Sequence, residues 1–181
     1  MGEPARNRLQ EWLEDEERML ARMAASRDTG TPLTREELAR QPGIALFEAM
    51  LDGRLPGAPI AATLDFLLVQ VEPGVAVFQG RPLQRHYNPL GTVHGGWHAT
   101  LLDSALGCAV HSQLPAGKSY TTLELKINLV RALRDDVGRV RAEGRVVHPG
   151  NQVATAEARL VGPDGRLYAH GTTTCLVFDI R

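Results

Sequence analysis

His94-Gly95-Gly96-Trp97-His98-Ala99-Thr100-Leu101-Leu102-Asp103-Ser104-Ala105-Leu106-Gly107-Cys108-Ala109-Val110 is the stretch on which the fold turns. From Ala99 to Val110 its only polar residues are Thr100, Asp103 and Ser104. An apolar run of this length reads as a buried helix rather than a strand. It is predicted over 94–113, ended by Pro115 and Gly117. Upstream, 60–71 and 75–85 read as strands around the turn Glu72-Pro73-Gly74, and 86–92 as a polar loop. Downstream, strands are predicted over 119–133, 136–148, 151–162 and 166–178. Leu123, Leu125, Ile127 and Leu129 alternate with Thr122, Glu124, Lys126 and Asn128; Val140, Ala142, Gly144 and Val146 alternate with arginines and a glutamate. Such period-2 patterns give each strand one covered and one wetter face, as in an antiparallel sheet. Strand pair, helix and four further strands predict an α+β fold: a curved antiparallel sheet wrapped around a central helix.

Further out, the pattern changes. Residues 7–25 read as an amphipathic helix carrying Leu9, Trp12, Leu13, Met19, Leu20, Met23 and Ala24, with Glu14 and Arg18 as an i,i+4 pair. Arg27-Asp28-Thr29-Gly30-Thr31-Pro32 supplies a turn. Thr34 followed by Glu37 is a capping-box pattern that opens a short helix over 34–40, and a third helix spans 43–52 before Gly53. Pro56, Gly57 and Pro59 mark a linker over 54–59. The chain therefore divides into an N-terminal helical extension, 1–53, and a main domain, 54–181.

A net charge of -1 gives no field that would recruit nucleic acid or an anionic membrane. No segment reaches the roughly 18 apolar residues of a membrane span. The polar start Met1-Gly2-Glu3-Pro4 is not that of a secretory signal. Cys108 and Cys175 sit in apolar surroundings and read as buried free thiols, which fits a cytoplasmic location.

Asp103 carries the chemical interest. A lone carboxylate on so apolar a helix is costly to bury, so it needs donors, solvent or a task. An aspartate at a wet edge or helix interface is the alternative on composition alone. Gly95 and Gly96 stand where the helix begins, and backbone N–H groups there, with the helix dipole behind them, suit a developing oxyanion. Two glycines that merely make a tight turn are the plainer reading. Asp103 lies about two turns, ~11 Å, further along. That is too far to act on the same carbonyl from the same helix. A site shared across a dimer interface follows.

Asn88, Gly91, His94, Gly95, Gly96 and Asp103 hold the spacing Asn-x-x-Gly-x-x-His-Gly-Gly-x-x-x-x-x-x-Asp. In this the chain resembles the phenylacetate-pathway (PaaI-type) hotdog thioesterases, over roughly 55–178. Thr121-Thr122-Leu123-Glu124-Leu125-Lys126-Ile127-Asn128 and the stretch from Gly150 to Ala158 are similar too. The resemblance implies the hotdog fold and hydrolysis of an acyl-CoA, aryl or medium-chain, to free acid and CoA. It implies that the Gly95 N–H polarises the thioester carbonyl and that Asn88 places that carbonyl or the attacking water. Asp103 of the neighbouring subunit would be nucleophile or general base. Thr122 would orient the water or the carboxylate. His94, which braces the loop, Gly96 and Arg131 fall on the substrate-binding side. Val130-Arg131-Ala132 departs from the aromatic-Leu-Arg-Pro run common in relatives. CoA belongs to the substrate, so no separate cofactor is implied; the unit would be a homodimer or a dimer of dimers.

Other readings are weaker. His94 and His98, four apart, lack a third metal ligand with supporting spacing. Cys108 has no activating partner in the sequence, and there is no Gly-x-Ser-x-Gly elbow or P-loop. Arg139, Arg141 and Arg145 share a strand face that reads as solvated, with CoA phosphates as the alternative partner. A non-catalytic acyl-CoA sensor on the same fold is disfavoured by Asp103, and a hotdog dehydratase or hydratase by its differently placed acid/base pair.

Overall fold

A computed structural model describes residues 2–25 and 34–180. The predicted turn over 27–32 lies outside them. The central helix, α5 here, spans Gly95–His111. It packs against all six strands of one antiparallel sheet. These are β1 (Phe66–Glu72), β2 (Val75–Gly80), β3 (Lys118–Leu129), β4 (Val140–His148), β5 (Val153–Val161) and β6 (Leu167–Asp179). Their order across the sheet is β1-β2-β4-β5-β6-β3, so β1 and β3 form its two edges. Leu101, Leu102, Ala105, Leu106 and Ala109 on α5 are fully buried. Each such leucine contributes roughly 1.5–3 kcal/mol of transfer free energy. The helix lies so close that a Cβ on Gly144 of β4 would sit 2.2 Å from the Ala105 carbonyl oxygen. Val140 and Ala142, the neighbouring members of the predicted covered face, are fully buried as well.

The residues before the sheet form α1 (Glu3–Ala25), α2 (Arg35–Ala39) and α3 (Gly43–Leu51) within the extension, and α4 (Pro59–Thr63) beyond it. The capping box at Thr34 and Glu37 forms as predicted. Other expectations need correction. Residues 59–63 are helical, and β1 begins only at Phe66: Pro59 lacks an N–H that the first helical turn would leave unpaired anyway, so it starts a helix well. β2 ends at Gly80 because Pro82 cannot donate to a ladder. Arg18 pairs with Asp15, three residues away, and Glu14 accepts from Gln10 instead.

The largest correction concerns the strand arginines. Arg139 and Arg141 do not face solvent, because α1 lies over that side of β2 and β4. Arg139 binds both oxygens of Glu16, and Arg141 donates to Asp15 at 2.6 Å and stacks over the Trp12 ring at 4.6 Å. The fully buried Gln79 links them, accepting from Arg141 and donating to Glu16 and to the Trp12 carbonyl. Arg145 remains exposed.

Candidate active site

Residues before α5 fold into a tight loop that aims its N-terminus. Tyr87 and Val93 form an isolated bridge, and Gly91 takes a positive φ of 81°. The Asn88 side chain is used inside this loop. Its Oδ1 accepts from the Leu90 N–H at 2.9 Å, and its Nδ2 donates to Thr92 Oγ1 at 3.0 Å. His94 caps the helix, its Nδ1 accepting the Gly96 N–H at 2.9 Å. His98, buried one turn on, contacts the His94 carbonyl oxygen through Nδ1 at 3.1 Å, and burial lowers its pKa. With the Gly96 donor occupied, Gly95 holds the first helical N–H, which meets no acceptor among the described residues. A Cβ at Gly95 would lie 2.8 Å from Leu129 Cδ1 at the end of β3. Arg131, two residues past that leucine, is exposed, and its N–H donates to the Tyr168 carbonyl.

Asp103 belongs to a second group further along α5. Thr122 Oγ1 donates to Asp103 Oδ1 at 3.2 Å, from strand β3. Thr122 reaches the helix because β3 carries a bulge between Thr122 and Glu124. Leu123 is the extra residue and is 60% exposed, so the alternation expected through this strand breaks there and Thr122 joins the inner face. Burial pushes the Cys108 thiol up to about 12, and the Asp103 charge adds to it. The Tyr120 phenol, packed on Gly107, is held well above its ordinary value by burial first, then by Cys108 and Asp103. Cys175 is raised by burial, with a smaller contribution from Asp103. These three groups stay protonated and neutral around one carboxylate. Cys175 is the buried free thiol expected from the sequence, but its place beside Asp103 was not, and Tyr120 escaped the sequence reading although it stands two residues before Thr122 on the same strand.

One chain thus presents an N–H donor at the start of α5 and a hydroxyl-supported carboxylate two turns later. A curved sheet around one helix, with this pair on the helix, defines the hotdog architecture. The profile of the Thioesterase superfamily matches residues 90–169, which include Gly95, Asp103 and Thr122. A Halobacterium salinarum protein named for esterase activity is 39% identical over 108 residues, 55% of this chain and 70% of that protein. The solved structure of a phenylacetic acid degradation-related protein from Ralstonia eutropha superposes with a TM-score of 0.66 at 30% identity, over 72% of this chain and 98% of that one. A Streptococcus mutans protein solved with acetyl-CoA superposes with a TM-score of 0.59 at 25% identity, over 65% and 91%. The chain belongs to the thioesterase superfamily, among its phenylacetate-degradation-type hotdog proteins.

Proposed function

We propose that the protein hydrolyses an acyl-CoA thioester, aryl or medium-chain, to the free acid and CoA at a site shared by two copies. The observation that carries this reading is the Asp103–Thr122 pair on the central helix. Asp103 accepts a proton from water as its oxygen adds to the carbonyl carbon, or attacks that carbon itself. The displaced electron pair moves onto the carbonyl oxygen, where the Gly95 N–H of the other copy receives it. The carbon–sulfur bond then breaks, and the thiolate leaves and is protonated to CoA; where Asp103 has itself attacked, water then hydrolyses the mixed anhydride, releasing the free acid and restoring the carboxylate. Asn88 and His94 act through the loop, by fixing where Gly95 points. β3, at an edge of the sheet, carries Leu129 next to Gly95, which suits pairing of two copies along that edge. The acetyl-CoA held by the Streptococcus relative favours a CoA ester over other thioesters. Among the described residues no helix is long and apolar enough to cross a membrane, and a CoA ester fits a cytoplasmic site of action. The test is thiol release from a panel of aryl- and alkyl-CoA esters. Turnover of at least one, lost in Asp103→Asn, is expected; no release from any member overturns the hydrolase reading.

A further inference from the structure

A cavity of about 480 Å³ lies where the N-terminal helices meet the β1 edge of the sheet. That volume falls within the roughly 300–1,000 Å³ of small-molecule sites. Its floor includes Ser104 and Cys108 of α5. Ser104 follows Asp103 in the chain, and Cys108 lies close enough for the Asp103 charge to raise its thiol. A neutral thiol of this kind is an apolar surface rather than a nucleophile. The walls include Met19, Met23 and Met50, three of the chain's four methionines. Methionine thioethers adapt to flexible apolar guests. Leu20 and Met23, 49% and 37% exposed, leave one side open to solvent. The methionines and Leu20 lie outside the stretch that matches the superfamily profile, so this compartment is a feature of the extension.

We propose that this cavity is the acyl pocket of the enzyme and that it takes a straight aliphatic chain. The proposal rests on the thioesterase reading above. An acyl carbon attacked at Asp103 places its chain beside the helix face that carries Ser104 and Cys108. The chain then runs under the methionines of α1 and α3. The extension thereby sets chain-length preference.

The test measures binding of butyryl-, hexanoyl- and octanoyl-CoA to the full-length Asp103→Asn protein by calorimetry, beside turnover by wild type. The dissociation constant should fall about fourfold per added methylene. In Asp103→Asn/Ala62→Trp that gradient should collapse, because Ala62 is an exposed α4 residue lining the cavity and an indole there fills it. Thermal unfolding checks that the variant folds; if it does not, Met23→Glu, at another exposed position, decides in its place. A gradient that persists in the folded variant, or no gradient at all, overturns the pocket. Turnover without a gradient removes the pocket and leaves the hydrolase. A gradient without turnover removes the hydrolase and leaves an apolar-chain site.

Discussion

Gly95 occupies the first position of α5, where proline is tolerated because the N–H has no intrahelical partner. The preceding His94, at φ -62° and ψ 140°, already has the extended conformation that proline requires of its neighbour. Gly95→Pro therefore deletes the proposed oxyanion donor and spares the helix. We expect kcat to fall ~10²–10³-fold with the thermal midpoint close to wild type, because the new Cβ displaces only Leu129 Cδ1, the end of a half-exposed side chain. A folded variant with wild-type turnover would show that this amide does no chemistry. Asp103→Asn keeps an Oδ1 that accepts from Thr122 and removes the charge. Its kcat should fall at least ~10²-fold, the low end for acid–base catalysis, with KM moving much less. A purely structural aspartate would show the opposite pattern: near-normal turnover and a lowered midpoint. At this scale the sequence was informative where spacing mattered and silent where register did. Asp103 and the glycines were legible because a carboxylate and helix-breaking residues stand out in an apolar run. The partnership of Thr122 with Asp103 is implied by the family resemblance alone; it depends on the bulge at Leu123, and an inserted residue leaves no mark in a period-2 pattern.

Among the elements, α1 is held by charges that its own sequence does not reveal. Burial pushes the Glu16 carboxyl up, but hydrogen bonds from Arg139 and Gln79, with the Arg139 charge, outweigh it and hold the pKa below its ordinary 4.5. A carboxylate lowered in the folded state stabilises above its unfolded pKa. That contribution is lost as pH falls through the folded value. The contact between α1 and the sheet should accordingly loosen below about pH 4.5. Hydrogen exchange of α1 amides should accelerate there before that of α5. Equal acceleration of both helices would mean that α1 is not a separately released element. Arg139→Met, which strands Glu16 beside Gln79, should cost roughly 2 kcal/mol, between the values for exposed and buried pairs; chemical denaturation measures it. The helix α5 is readable from the length of its apolar run, and the four strands after it from local alternation. Residues 60–63 of α4 read as strand, and Pro59 as linker, although a proline also marks a helix start. The docking of α1 joins residues more than 120 positions apart, Glu16 and Arg139, and no local pattern encodes such a pairing.

For the whole molecule, the proposed site divides between copies, and that division can be counted. Gly95 and Asp103 stand ~12 Å apart along one helix, so each chain alone holds two half-sites. Mixing inactive Gly95→Pro chains with inactive Asp103→Asn chains should restore activity, because each mixed dimer contains one intact pair. With random exchange about a quarter of wild-type specific activity should return. No recovery after confirmed subunit exchange would place both groups' action within one chain. Light scattering should report a multiple of the 19.7 kDa chain. The two rims of the sheet bear on what that multiple can be. Helices α3 and α4 pack against the β1 rim, whereas the β3 rim has no strand beyond it among the described residues. A sheet with both rims bare is a template for endless growth. With one rim capped by helices, edge-to-edge addition terminates after a single partner. The same helices that would measure an acyl chain thus also serve as a stopper against fibre formation.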